Sequence, residues 1–146
     1  MPIGLIDEKR ERELFEKLIA YYQKLYPDEI FDREEKILTN AEIGELYYTY
    51  PGEEQKATFD EYTREINEAI TKRNYSTPII ILEKPGKMII LDGHRRVKVA
   101  YSRGMPWKAF VIKAHTKKEF GIEKLIEGKV KDLFSHSQSA QNPVLE

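Results

Sequence analysis

Ile89-Ile90-Leu91-Asp92-Gly93-His94-Arg95-Arg96-Val97-Lys98-Val99-Ala100 is the stretch that decides how this chain is read. The apolar, β-branched run up to Leu91 has the character of a buried strand, and Asp92-Gly93 breaks it. From His94 to Arg103 the periodicity predicts a helix, with Val97, Ala100 and Tyr101 inward and Lys98 and Ser102 outward. Gly104 is a suitable residue to end it. A helix entered through a glycine turn presents unpaired backbone N–H groups and a partial positive charge, the elements of an anion site. Gly93 lets the chain turn sharply and lets an oxygen ligand approach closely. Arg95 and Arg96 can offer bidentate donors to phosphate, His94 a further donor, and Asp92 a ligand for Mg²⁺ or a proton acceptor. The same residues also have a plain structural use. An Asp at such a junction can simply cap the helix, and arginines in a first turn can simply face water.

Just upstream, Pro78 to Leu82 reads as a strand, Lys84-Pro85-Gly86-Lys87 as a hairpin turn and Met88 to Leu91 as the returning strand. Downstream, Pro106 precedes another strand, Trp107 to Ile112, with Trp107 expected in the core. The first helix is expected from Asp7 to about Tyr26, where Leu14, Leu18, Tyr21 and Leu25 recur at helical spacing and Pro27 stops the chain. Its broad apolar stripe should cap the sheet or form a dimer face. Asp28 to Glu35 is polar and reads as turn or short helix, with a short strand at Ile37 to Thr39. A second long helix is expected from Thr58 to Lys72, with Thr58 as N-cap and Glu61 completing a capping box. Thr116 to Phe134 alternates charged and apolar residues as a further helix, and Ser135 to Glu146 has the composition of a flexible tail. Tyr47-Tyr48-Thr49-Tyr50 could stack on a base, or pack in the core or its rim.

With 146 residues, one domain with a real hydrophobic core is expected. There are 24 Lys+Arg against 25 Asp+Glu, a net charge of -1 that argues against a general nucleic-acid coat but leaves a local basic patch open. With no cysteine, disulfides and thiol nucleophiles are excluded. The three histidines, His94, His115 and His136, lack metal-ligand spacing. No apolar run approaches the ~20 residues that cross a bilayer, and the charged start lacks a signal-peptide core, so a cytoplasmic protein with no membrane partner is expected. Abundant Lys and Glu without Cys would suit a hyperthermophile.

The Ile89–Ala100 stretch resembles the signature of the ParB/sulfiredoxin-like superfamily, in which a strand, a Gly-centred turn ending in Arg and a helix bind nucleotide phosphates. The resemblance spans roughly Ile37 to Ile112. It implies an α+β fold, a small mixed sheet with flanking helices and an added N-terminal helix. Residues 1–35 would be the helical extension, 36–134 the ParB-like domain and 135–146 the flexible tail. Sulfiredoxins use a cysteine inside this turn, which this chain lacks. Chromosome-partitioning ParB proteins carry a Gly-Glu-Arg-Arg version that binds CTP, followed by a helix-turn-helix region. Here His94 follows Gly93, and residues 113–146 are too few for such a region. The Asp-Gly-His form is instead similar to archaeal free-serine kinases, whose turn reads Asp-Gly-His-His-Arg.

By that resemblance Asp92, His94 and Arg96 handle phosphate and metal, while Arg95 stands where the family has its second His. An upstream Glu in a Pro-containing loop acts on the substrate hydroxyl. The matching loop is Tyr50-Pro51-Gly52-Glu53-Glu54-Gln55, which leaves Glu54, favoured by spacing, or Glu53; either can equally be a solvated loop acid. The implied activity is phosphoryl transfer from ATP or ADP to a small-molecule hydroxyl, with phosphates on the amides of Gly93 to Arg95, clamped by His94 and Arg96, and Mg²⁺ on Asp92. Two rivals are a non-catalytic module switched by a nucleotide such as CTP, with a DNA or protein partner, and a ParB-like nuclease using Asp92, Glu53 and Glu54. A homodimer is open.

Overall fold

The computed structural model describes residues 5–49 and 56–132, with the backbone alone for 56–63. Helix α1 (Glu8–Leu25) begins where the Asp7 carboxylate accepts the Arg10 N–H at 2.9 Å. Strand β1 (Phe31–Leu38), helix α2 (Asn40–Gly44), the short strand β2 (Tyr47–Tyr48) and helix α3 (Lys56–Arg73) follow. The hairpin β3 (Ile79–Lys84) and β4 (Lys87–Asp92), helix α4 (His94–Ser102), strand β5 (Trp107–Ala114) and the short β6 (Gly128–Lys129) complete the order. The class is α+β, as expected.

The strands form one mixed sheet in the order β1-β5-β3-β4-β2-β6. β5/β3 and β4/β2 are parallel and the other pairs antiparallel. Alternate side chains of the central strands enter two cores. Ile80, Leu82, Ile89, Phe110 and Ile112 pack with Phe15, Ile19 and Tyr22 of α1. Ile79, Ile81, Ile90, Ala109 and Val111 pack with Ile66 and Ile70 of α3, Val97 and Ala100 of α4, and Ile43 of α2. Burial on both faces is why β3 and β5 read as unbroken apolar runs. The apolar stripe of α1 is used against the sheet.

Three sequence expectations are corrected. The polar stretch Asp28–Glu35 is neither turn nor helix for the most part: Phe31 to Leu38 is one edge strand, pairing along its length with β5. Its charges are tied to neighbours, Arg33 to Glu16 at 2.6 Å and Arg12 to Glu35 at 2.8 Å, so an edge can be charged and still be a strand. The 35/36 boundary therefore falls inside β1. Helix α3 starts at Lys56, two residues before Thr58, because Lys56 and Ala57 are good helix formers. Residues 116–132 are largely not α-helical. Phe120 is buried against Tyr26 with ring centroids 4.1 Å apart, and a 3-10 turn (Gly121–Leu125) and β6 use that backbone. The proposed tail lies outside the described residues.

Candidate functional site

The site begins with a slip in the hairpin register. Ile81 pairs with Ile90, but Ile80 pairs with Asp92, so Leu91 is an extra residue at a bulge. Paired residues share a face, and Ile80 faces α1, so the bulge brings Asp92 to the α1 side of the sheet. Gly93 follows at φ 105°, ψ 27°, left-handed backbone that other residues rarely adopt. A Cβ here would lie 2.7 Å from Ile79 Cγ2 and 3.2 Å from Arg96 Nη2. The glycine is thus required by packing within the protein as well as by the turn. Gly93, the N-cap of α4, has no side chain with which to cap it.

Arg96 turns inward. It is 5% exposed and its guanidinium binds four oxygens. Nη1 donates to the Pro78 carbonyl at 2.5 Å and the Thr77 carbonyl at 3.4 Å; Nη2 donates to Asp92 Oδ2 at 2.9 Å and Glu11 Oε2 at 3.1 Å. Thr77 O also accepts from Trp107 Nε1 at 2.8 Å. Arg96 therefore ties α1, the end of β4, α4 and the 77–78 segment together. The expectation that it clamps a ligand phosphate meets a side chain whose donors are already engaged.

Glu11 is fully buried, and its carboxyl is pushed up to about 8 by burial first and by the hydrogen bond to Asp92 second, with Arg96 opposing. Its Oε1 meets no donor among the described residues. A proton on Glu11 resolves this, since a neutral carboxyl can donate to Asp92 while Oε2 accepts from Arg96.

His94 is held in a different way. Burial lowers its imidazole to about 4, so it is neutral at pH 7. Nε2 accepts the Thr49 N–H at 3.4 Å, which places the ring proton on Nδ1. Thr49 immediately precedes the segment that carries Glu53 and Glu54. Those two residues, like Tyr50, lie outside the described residues.

A cavity of about 370 Å³ opens on this turn. Its polar side is Asp92, Gly93, His94, Arg95 and Arg96, and its other walls are Ile6, Ile66, Tyr75 and Leu91. The Tyr75 hydroxyl donates to the Ile6 carbonyl at 2.8 Å, fixing the segment before α1 against the loop after α3. With His94 neutral and Glu11 protonated, the charged side chains that the described residues bring to the turn are two guanidiniums and one carboxylate, and the helix terminus adds to the positive side.

Comparison of the chain with protein-family models, curated proteins and solved structures finds no match. Among the described residues no helix is long and apolar enough to cross a membrane. No group of three His, Asp or Glu side chains gathers there to hold a metal ion. Asp92 alone, already paired with Arg96, fits Mg²⁺ only where a ligand's phosphates supply further oxygens, the usual way Mg²⁺ is held.

The structure brings Asp92, Gly93, His94, Arg95 and Arg96 together around one cavity. Tyr47 and Tyr48 pack on the two cores and do not line it. Sequence reasoning missed Tyr75 and Glu11. Glu11 had a signal: it lies at helical spacing before Phe15, Ile19 and Tyr22, a carboxyl on the apolar stripe.

Proposed function

We propose that the chain binds a nucleotide through its phosphates, in the manner of ParB/sulfiredoxin-like domains, in the cavity at the N-terminus of α4. The observation that carries this reading is the first turn of α4, entered through the left-handed Gly93, opening into that cavity. Its volume falls within the range of small-molecule sites, and its walls divide into an apolar side and a positively charged turn. An amphipathic anion matches that division: phosphates toward the amides following Gly93 and toward Arg95, and the base against Tyr75, Ile6 and Ile66. In this arrangement Arg96 is a positioning residue, holding the turn in shape from beneath. His94, neutral, offers a hydrogen bond and no charge.

Phosphoryl transfer to a hydroxyl acceptor would add Glu53 or Glu54 as the group that orients the acceptor, and Mg²⁺ shared between Asp92 and the phosphates. The mutual neutralisation of Arg96 and Asp92 favours binding without turnover as the nearer alternative, a nucleotide-switched module. Calorimetric titration with ATP, ADP and CTP, with and without Mg²⁺, tests the shared premise. Binding should weaken about ten-fold or more in Arg95→Ala, the loss expected for a charge-assisted phosphate contact. No binding of any of the three at millimolar concentration would refute the reading. Incubation with ATP or ADP plus serine then separates the two forms: phosphoserine that disappears in Glu54→Ala or Glu53→Ala supports the kinase, and tight binding without product supports the switch.

A further inference from the structure

Among the described residues, strand β1 is the outer strand at one end of the sheet, paired on one side only, with β5. It reads Phe31-Asp32-Arg33-Glu34-Glu35-Lys36-Ile37-Leu38, and Ile37 is 69% exposed, as is Ile30 just before it at 70%. Such an edge offers a row of backbone donors and acceptors to another strand. Its charges restrict which strand can pair there.

We infer that β1 pairs antiparallel with β1 of a second copy of this chain, centred on Glu34, making one continuous sheet across a two-fold axis. The charge pattern of the strand fixes the register. Centred on Glu34, Arg33 lies opposite Glu35 of the second copy and Asp32 opposite its Lys36, each pair occurring twice. The exposed Ile37 then lies opposite Phe31, and Ile30 opposite Leu38. Glu34 facing its own copy is the only like-charge pair. Moving the centre one residue toward the C-terminus sets Glu35 against itself and leaves only the Glu34–Lys36 pairs unlike in charge, with Arg33 opposite Ile37. Moving it one residue toward the N-terminus sets Arg33 against itself and Asp32 against Glu34. A parallel, in-register pairing stacks every charge on itself. Directly opposed unlike charges stabilise a strand pair and like charges destabilise it, so the pattern selects one register and one symmetric partner.

The existing ion pairs are compatible with this. Arg33 and Glu35 meet Glu16 and Arg12 of α1 and Asp32 meets His115, all at the surface and able to share a second partner, while Lys36 meets Glu34 and the half-buried Glu83. A single strand pair is a small interface, so the dimer belongs to the weak, concentration-dependent class. The inference uses no residue of the cavity and stands whether or not a nucleotide binds.

Sedimentation equilibrium of the full chain, from micromolar to millimolar at low salt, tests it. The expected result is a monomer–dimer equilibrium that weakens with added salt. Asp32→Lys or Lys36→Asp alone should weaken the dimer about ten-fold or more, since each turns two attractive pairs into repulsive ones. The double swap Asp32→Lys with Lys36→Asp should restore it, because each new lysine meets a new aspartate. Glu34→Gln should tighten it by removing the repulsion on the axis, and needs no disruptive change. A chain that stays monomeric to millimolar concentration would overturn the inference. So would a dimer indifferent to the single swaps and to Glu34→Gln.

Discussion

Two buried ion-pair clusters sit at opposite ends of β4, and they resolve their charges differently. At the hairpin end, Lys84 donates to Glu123 Oε1 at 2.5 Å and to the Lys118 carbonyl, and lies 4.2 Å from the Phe120 ring centroid. Lys87 reaches Glu123 Oε2 at 3.3 Å, and the Phe120 N–H donates to Oε1 at 2.6 Å. Burial would raise the Glu123 carboxyl, but Lys84, the Phe120 amide and Lys87 outweigh it and hold the group below its ordinary range. At the other end two carboxyls, Glu11 and Asp92, face one guanidinium, and the Glu11 carboxyl rises to about 8. One cluster is a closed strut docking the 116–126 segment. The other borders a cavity and keeps one carboxyl neutral. Such unequal resolution of charge beside a cavity is a feature of binding sites.

The largest loss is expected at Arg96. Arg96→Ala leaves Asp92 and the Pro78 carbonyl without their guanidinium donor, and should cost about 3–5 kcal/mol in urea unfolding. Arg96→Lys should recover little, because an ammonium cannot span four oxygens on three elements. A loss near zero would mean that this end is not a knot.

The paired isosteres Glu123→Gln and Glu11→Gln sharpen it next. Glu123 is ionised, so its neutral isostere leaves the buried Lys84 without a counter-charge and should cost about 1–3 kcal/mol at pH 6. Glu11 is already protonated there, and a Gln amide can donate to Asp92 and accept from Arg96 as the acid does. The second substitution should cost under about 1 kcal/mol. Equal losses would erase the distinction.

Much of this was legible where one physical signal dominated. The apolar runs of β3, β4 and β5, the Pro-Gly hairpin and the strand–glycine–helix turn all read correctly, because burial on both faces and a required left-handed glycine leave strong marks. β1 did not, since an edge strand with salt-bridged faces carries neither an apolar run nor alternation. Residues 116–132 misled because charged and apolar residues alternate there, while the tertiary tie from Lys84 to Glu123 and the Lys118 carbonyl decides their path. At the site, the residues of the turn were visible but not their directions. That Arg96 points inward depends on Glu11, 85 residues away in sequence, and no local pattern links the two.

A slope with pH completes the contrast, and its sign separates two groups of one cavity end. Glu11 has a folded pKa near 8 against an ordinary 4.5, so between those values the folded chain holds a proton that the unfolded chain has lost. Its contribution to stability therefore falls as pH rises through that window, by up to ~1.4 kcal/mol per pH unit. His94 does the reverse. Its folded value near 4 lies below the ordinary 6.5, so the unfolded chain binds the extra proton and stability rises with pH until about 6.5. The two oppose each other below pH 6.5, leaving pH 6.5 to 8 as the window in which Glu11 acts without His94. Urea unfolding across that window should show stability falling in the natural chain and a flatter profile in Glu11→Gln. Parallel profiles would show that Glu11 keeps no proton in the fold. The neutral Glu11–Asp92 contact would then be lost as well.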